Sequence, residues 1–522
     1  MNQTQAGRRN FDFNEPLLFE KKNTGCFGVD LPESEVSHQI SDNLVAQALG
    51  DQKRGEKENL SLPECSEPEI CRHFTRLSRW NFSIDTNSYP LGSCTMKYNP
   101  RINEWAGRLP GFSQLHPYLP EERLQGALSI MWDLQNSLSE IGGFSQTTLQ
   151  PSAGAQGEFV GVMMIKAALK ARGENRTKML VPQSAHGTNP ATAAFFGFEV
   201  VSLRSTPDGC IDLEDIKAKM NEDTAGIMIT NPNTLGIFEK DIVTISHMVH
   251  DQGGFVYGDG ANLNALMGIA RPGDFGIDVM HFNLHKTFTT PHGGGGPGCG
   301  AVGAAKSLTP FLPIPLVAQK EDGTFYFDSD RPSSIGKVRS FYGNFGMMVR
   351  AWTYIREMGP TGLKKASELA VLNANYIRAR LKDHFHLAYQ TDCLHEVVFT
   401  DKWQQEKNHV STLDMAKRLI DHGIHPPTIY FPLVVAGALM IEPTETESKS
   451  QVDATCEAFI EVANEAKTNP ENLKSAPQNT AMKRLDEAFA ARNPVLKWTP
   501  EMLSSGEAFK RYAEELRKRA QI

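Results

Sequence analysis

The chain has 522 residues, of which 40% are hydrophobic and 22% charged, and its formal net charge is −8. At roughly 100–200 residues per domain this is material for two to four domains with sizeable cores. The acidic balance argues against a dedicated nucleic-acid binder, which would carry a basic face. No window approaches 18 uncharged apolar residues, so no membrane span is expected.

The first residues, "MNQTQAGRRNFDFNEPLLFEKK", hold no apolar core of signal-peptide length, and the expected compartment is the cytoplasm. Eight scattered cysteines form no C-x-x-C, which fits reduced thiols better than a zinc ribbon or a thioredoxin motif. Residues 1–70 are polar and irregular and are expected to form an N-terminal extension, with "GDQKRGEKENLSLPE" (50–64) as an exposed segment. Apolar residues at 124, 127, 128, 131, 134 and 138 predict a helix over 120–143, stopped by Gly142 and Gly143.

An alternation follows. "GAQGEFVGVMMIKAALKAR" (154–172), "IDLEDIKAKM" (211–220) and "KDIVTISHMVHD" (240–251) read as helices. "KMLVP" (178–182), "FEVVSL" (198–203), "AGIMIT" (225–230) and "GFVYGD" (254–259) read as short buried strands. Such alternation predicts an α/β domain, residues 71–360, with a mostly parallel sheet covered on both faces. Ligands of these sheets bind beyond the carboxyl ends of the strands. From 361 to 490 a long helix (361–385), strand candidates at 395–400 and 438–443, and helices near 410–422 and 446–466 predict a smaller α+β domain. Residues 491–522 are expected to be a C-terminal extension ending in a charged amphipathic helix.

The chemistry is therefore sought directly after each strand. "LQPSAGAQGE" (149–158) opens a helix with small residues, whose exposed backbone N–H groups suit a phosphate. His186 follows one strand, and is either a surface histidine or a flat ring able to stack on another. Asp259 ends another between two glycines, and is either a turn aspartate or a carboxylate facing a heterocycle. Lys286 follows "VMHFNLH" and precedes "GGGGPG" (293–298). A phosphate-loop lysine comes after its glycines, whereas here the glycines come after the lysine, so that reading fails on order. A lysine just past an apolar strand is partly desolvated, which favours the neutral, nucleophilic amine. A phosphate-ready helix start, a flat histidine, an aspartate and a lysine, the last two 27 residues apart, together make the set that pyridoxal phosphate requires. "GGGGPG" itself reads as a supporting turn.

The segment "DGANLNALMGIARPGDFGIDVMHFNLHKTFTTPHGGGGPG" closely resembles the cofactor segment of the glycine cleavage system P-protein family. So do "YPLGSCTMKYNP" (89–100), "QPSAGAQGE" (150–158), "SAHGTNPA" (184–191), "KVRSFYGNFG" (337–346) and "ALMIEPTETESK" (438–449). The family has a long single-chain form and a split form, and this chain resembles subunit 2 of the split form, the lysine-bearing half. The resemblance implies the fold-type-I architecture of pyridoxal-phosphate-dependent transferases, with a seven-stranded sheet and a smaller C-terminal domain. It implies decarboxylation of glycine with release of CO2 and transfer of the aminomethyl group to the lipoyl arm of the H-protein. It also implies a partner, subunit 1, in an α2β2 heterotetramer.

By the same resemblance Lys286 matches the position that bonds covalently to the cofactor, Asp259 the position at the ring nitrogen, and His186 the ring-stacking position. Ser152, Ala153 and Gly154 match the phosphate turn. Ala261, His285 and Thr287 are further candidates beside the cofactor. His292 is a proton donor, a contact for the lipoyl arm or a structural histidine. In the 89–100 loop, Cys94 is a redox thiol or a packed small residue, and Lys97 pairs with an anion or is solvated. Lys97, Cys94, Thr95 and Arg339 are the candidates for substrate binding, with Arg350 another anion site. An aminotransferase or cysteine desulfurase would keep the fold, but no carboxylate-clamping arginine stands in "HPPTIYFPLVVAGALMIEPTETESK" and no cysteine lies in an evident mobile loop. A silent scaffold subunit would lack the lysine.

Overall fold

A computed structural model describes residues 15, 17, 18, 26, 28, 29, 32, 41–52, 63–292, 298–480, 482–494 and 496. Five residues of the glycine run (293–297), most of the N-terminal extension and the C-terminal helix expected beyond 500 lie outside the described residues. The chain divides into two units, residues 1–82 with 477–522, and residues 83–476. The first contains the helix Glu67–Ser78, opened by a capping box between Ser66 and Glu69. Its His73 and Arg76 both contact the buried carboxylate of Glu15. Among the described residues no helix is long and apolar enough to cross a membrane, and all eight cysteines are free.

The second unit is built on a seven-stranded sheet: β1 (Gln146–Thr148), β2 (Lys178–Pro182), β3 (Glu199–Leu203), β4 (Thr224–Thr230), β5 (Phe255–Gly260), β6 (Val279–Asn283) and β7 (Gly300–Ala304). Their order is β1-β7-β6-β5-β4-β2-β3, and only β7 runs against the others. Every residue of β4, β5, β6 and β7 is buried, as expected of strands covered on both faces. Helices α1 (Gln125–Gly142), α2 (Gly154–Ala171), α3 (Thr188–Phe195), α4 (Leu213–Lys219) and α5 (Ile242–Asp251) include those read from the sequence.

Two glycines of α2 set its distance from the sheet. A Cβ on Gly157 would lie 2.6 Å from the Cβ of His281, and one on Gly161 2.5 Å from the Tyr257 ring. The helix therefore presses its backbone onto β5 and β6 and brings its first turn to their ends.

A single turn, α6 (Leu284–Thr287), leaves β6 directly. A hairpin, β8 (Leu316–Gln319) with β9 (Phe325–Asp328), was not among the expected elements. It turns at Lys320–Thr324, closed by Gly323 with φ +85°. Helix α7 (Phe345–Leu381) is two helical pieces meeting at Gly359 (φ 58°, ψ −178°), because Pro360 has no N–H to continue the ladder. The small sheet is antiparallel: β10 (His386–Leu387), β11 (Val397–Thr400), β12 (Thr428–Ile429) and β13 (Ala438–Ile441), in the order β10-β11-β13-β12. Helices α8 (Thr412–Asp421) and α9 (Lys449–Thr468) cover it, with Phe385, Phe399 and Phe459 in the core between.

Candidate active site

Three parallel strands end side by side. The register pairs Thr230 with Asp259 across β4 and β5, and Asp259 with His281 across β5 and β6. Above this edge is a cavity of about 210 Å³ lined by Ala153, Gly154, His186, Asp259, Ala261 and Lys286, among others. A larger groove of about 860 Å³ near Arg271 and Pro360 contains none of these residues. The structure thus brings together a lysine, an aspartate, a histidine ring and a helix start that the sequence separates by up to 133 residues.

Lys286 stands on the single turn after β6, and its Nζ donates to the carbonyl of Ser93 at 2.8 Å. Ser93 and Thr95 both hold left-handed backbone, φ 64° and 46°, a costly conformation that the surroundings must impose. Two buried glutamates do so. The Ser93 amide donates to Glu396 Oε2 at 2.8 Å and the Thr95 amide to Glu442 Oε2 at 3.1 Å. Burial, followed by the neighbouring Glu442 charge, pushes Glu396 well above the carboxylate range, and burial pushes Glu442 to about 7. Cys94 lies between Ser93 and Thr95. Burial raises its thiol against the opposing charge of Lys286, so it is a thiol and not a thiolate.

Asp259 ends β5 with both oxygens engaged. Oδ1 accepts from the Ala261 amide at 2.9 Å, and Oδ2 from Asn189 Nδ2 at 3.1 Å. His281 Nε2 is 3.3 Å from Oδ1, and the Tyr257 hydroxyl is 2.6 Å from His281 Nδ1. Burial lowers the His281 pKa and keeps the ring neutral. The consistent assignment is Tyr257 O–H donating to Nδ1, and Nε2–H donating to Asp259. Burial alone would raise Asp259, but His281, the Ala261 amide, Lys286 and Asn189 outweigh it and hold the carboxyl below its ordinary value. Asp259 is a buried anion facing the cavity. Tyr257 and His281 were not singled out from sequence.

The helix start fits an anion. Ala153 is the N-cap of α2, and the amides of Gly154, Ala155 and Gln156 have no carbonyl upstream within the helix. A Cβ on Gly154 would lie 2.3 Å from Asn283 Oδ1, so only glycine fits there. Ser152 does not join them. Its amide and hydroxyl both donate to Gln156 Oε1, at 2.7 and 2.8 Å. Asn283 Oδ1 and Thr230 Oγ1 line the cavity, are buried, and have no hydrogen-bond partner among the described residues. The donor set fits pyridoxal phosphate: backbone amides for the phosphate, an anionic carboxylate for the ring nitrogen, an amine for the aldehyde, and unpaired polar atoms at the wall.

His186 lines the cavity, and burial lowers its pKa. His285 also lines it, with Nδ1 3.0 Å from the Cys299 carbonyl oxygen, and burial lowers it to about 4. His292 packs edge-on behind His285, ring centroids 5.1 Å apart, and burial lowers it to about 3. His292 is not part of the cavity wall.

The anion-binding candidates go elsewhere. Lys97 is buried, 2.6 Å from Glu445, and donates to the Thr287 carbonyl at 2.9 Å. Burial would lower its pKa, but Glu445 and Tyr354 raise it overall, so its charge is already neutralised. Thr95 is committed to Glu442. Arg350 holds Glu104 through two hydrogen bonds, at 2.8 and 3.0 Å. Arg339 lies near Cys299, whose thiol burial pushes to about 12, and is not on the cavity wall. Thr287 is buried, and its Oγ1 has no partner among the described residues.

The family model "Glycine cleavage system P-protein" matches residues 35–325, and "Glycine dehydrogenase, C-terminal domain" matches residues 366–485. A probable glycine dehydrogenase (decarboxylating) subunit 2 of Caldanaerobacter subterraneus is 54% identical over 484 residues, covering 92% of this chain and 98% of that protein. One from Staphylococcus saprophyticus, bearing the same description, is also 54% identical, covering 93% and 97%. Among solved structures, glycine decarboxylase (P-protein) in inhibitor-bound form superposes with a TM-score of 0.69 at 19% identity, covering 81% of this chain and 95% of that one. The Thermus thermophilus aspartate aminotransferase superposes with a TM-score of 0.55 at 13% identity, covering 72% and 99%. These two likenesses show the fold, that of the fold-type-I pyridoxal-phosphate-dependent enzymes. The sequence matches, which span nearly the whole chain, place it by descent: the protein belongs to the glycine cleavage system P-protein family.

Proposed function

We propose that this chain is the cofactor-bearing subunit of a split glycine decarboxylase. It acts on glycine, releases CO2 and passes the aminomethyl group to the lipoyl arm of an H-protein, working with a second subunit in an α2β2 assembly. The observation that carries this reading is the placement of Lys286 and the anionic Asp259 on one cavity edge, opposite the open first turn of α2.

Bound pyridoxal phosphate supplies an electron sink for the pair left on the glycine carbon when CO2 departs. The protein's part is to hold and tune that group. Lys286 offers the amine that bonds to the aldehyde. Asp259, kept ionised by His281, the Ala261 amide, Lys286 and Asn189, holds a proton on the ring nitrogen. The amides of Gly154, Ala155 and Gln156 hold the phosphate, and His186 covers the ring. Lys97 and Arg350 take no part in binding the substrate carboxylate, since Glu445 and Glu104 already hold them. The raised Cys94 thiol speaks against a desulfurase, which needs a reactive thiolate.

The test is isotope exchange between bicarbonate and the carboxyl carbon of glycine, with the second subunit and lipoylated H-protein added in turn. Exchange that depends on both supports the reading. Transamination of glycine, or exchange indifferent to the carrier, overturns it.

A further inference from the structure

Glu158 lies on α2 one turn past the phosphate-ready start, is buried, and lines the cavity. The Thr188 hydroxyl is 2.6 Å from Glu158 Oε1 and 2.8 Å from His186 Nδ1. The Thr188 amide also points at His186 Nδ1, at 3.2 Å. The second carboxyl oxygen, Oε2, has the Thr192 hydroxyl at 3.4 Å.

The protons along this chain can be counted. The Thr188 hydroxyl has one proton and two close partners. If Glu158 were ionised, that proton would go to the carboxylate. His186 Nδ1 would then have to be N–H to meet the hydroxyl oxygen, and the Thr188 amide would point donor against donor. If Glu158 is protonated, its O–H donates to Thr188 Oγ1. The hydroxyl and the amide then both donate to a bare Nδ1, and the ring proton sits on Nε2. Only the second arrangement satisfies all three contacts.

We propose that Glu158 is a positioning residue, a protonated acid that acts through Thr188 to hold His186 in the Nε2–H form, so that the ring presents a donor to whatever the cavity binds. This rests on the cofactor-site reading only for what Nε2 meets. When Glu158 loses its proton to solvent, the Thr188 hydroxyl turns round to the carboxylate. The hydroxyl oxygen, 2.8 Å from Nδ1 against 3.2 Å for the amide, then draws the ring proton to Nδ1 at the expense of the longer amide contact, and Nε2 becomes an acceptor.

The surroundings favour the acid at rest. Asp259 and Tyr257 on β5, His281 on β6, His285 and Lys286 on α6, and His186 after β2 are the titratable groups around Glu158 and its cavity among the described residues. Asp259 is anionic, while His281 and His186 are neutral and Tyr257 stays protonated. Burial, then the Asp259 charge, raises Glu158 to about 7 against the hydrogen bonds from Thr188, Asn189 and Thr192. The two arrangements are therefore expected to exchange near neutral pH.

Neutron diffraction of the cofactor-loaded protein at about pH 5.5 and about pH 8.5 reads the protons directly. The expected result is hydrogen on Glu158 and on His186 Nε2 at the lower pH, and on Nδ1 at the higher. Glu158→Gln, whose amide donates to Thr188 as the acid does, is expected to keep Nε2–H at both. Thr188→Ser is expected to keep the switch and Thr188→Val to lose it, together with the matching step in the pH profile of glycine exchange. Hydrogen on Nδ1 at the lower pH, or an unchanged tautomer in the wild type, overturns the proposal. Because the diffraction readout needs no turnover, a protein that shows the switch but exchanges no glycine carboxyl would refute the function and leave this assignment standing.

Discussion

His281 and Asp259 face each other in register on neighbouring parallel strands, Nε2 to Oδ1 at 3.3 Å, with Tyr257 closing the far side of the imidazole at 2.6 Å. The strand pairing itself aims a neutral donor at the carboxylate, so the anion at the cavity edge is a property of the sheet.

This arrangement predicts the effect of removing the donor. A hydrogen bond to a charged group contributes about 1.5–3 kcal/mol. His281→Ala should therefore lower glycine exchange by roughly 10–100-fold, with the Lys286 bond to the cofactor still forming. Tyr257→Phe should act in the same direction and more weakly, because Nδ1 keeps its tautomer preference from Asp259. Rates at saturating cofactor check both variants.

Lys97 distinguishes a structural charge from a binding one. It is buried against Glu445. Taking one partner from a buried pair typically costs about 3–5 kcal/mol. Lys97→Met should lower the melting temperature, and adding Glu445→Gln should restore part of it. The KM for glycine in whatever fraction stays folded should be unchanged. A raised KM with normal stability would return Lys97 to the substrate.

At the phosphate turn, Gly154→Val should weaken cofactor binding at least tenfold, since even its Cβ would strike Asn283. Ser152→Ala, which removes a hydroxyl already held by Gln156, should cost much less. Titration of the protein freed of cofactor, followed by the visible absorption, ranks the two.

Stability should respond to acid with a definite sign. His285 is held near about 4, and His292 and His395 near about 3, all by burial, against an ordinary value of 6.5. The unfolded chain therefore binds protons that the folded one refuses, and stability is lost as pH falls below 6.5. Glu158, Glu239 and Glu442, each raised to about 7 chiefly by burial from 4.5, act oppositely between 4.5 and 7. Below 4.5 the histidines act together with the carboxylates held below their ordinary values, Asp259 and Glu104 among them, and all of these lose stability in acid. The melting temperature should fall most steeply there, and His395→Leu should flatten that limb.

Much of this was legible in the chain itself. Buried strands alternating with amphipathic helices specify a parallel sheet, and the rule that ligands gather at carboxyl ends points to His186, Asp259 and Lys286. The reversed strand β7 and the hairpin β8–β9 escape because pairing direction is a long-range choice that no local period encodes. His281 escapes for the same reason, since its role depends on a register between strands and its own strand reads as plain core. Glu158 lies on a helix whose glycines draw the eye, and its meaning depends on Thr188, 30 residues on. Lys97 and Arg350 read as free cations until Glu445 and Glu104 come to them from distant segments.

The central claim is that Lys286 carries the cofactor. Borohydride reduction of the loaded protein, followed by proteolysis and mass mapping, tests it most directly. The expected result is the pyridoxyl mass on the peptide containing Lys286, and a colourless, unlabelled Lys286→Ala variant. Label on Lys97 or any other lysine, or none after cofactor addition, would contradict it.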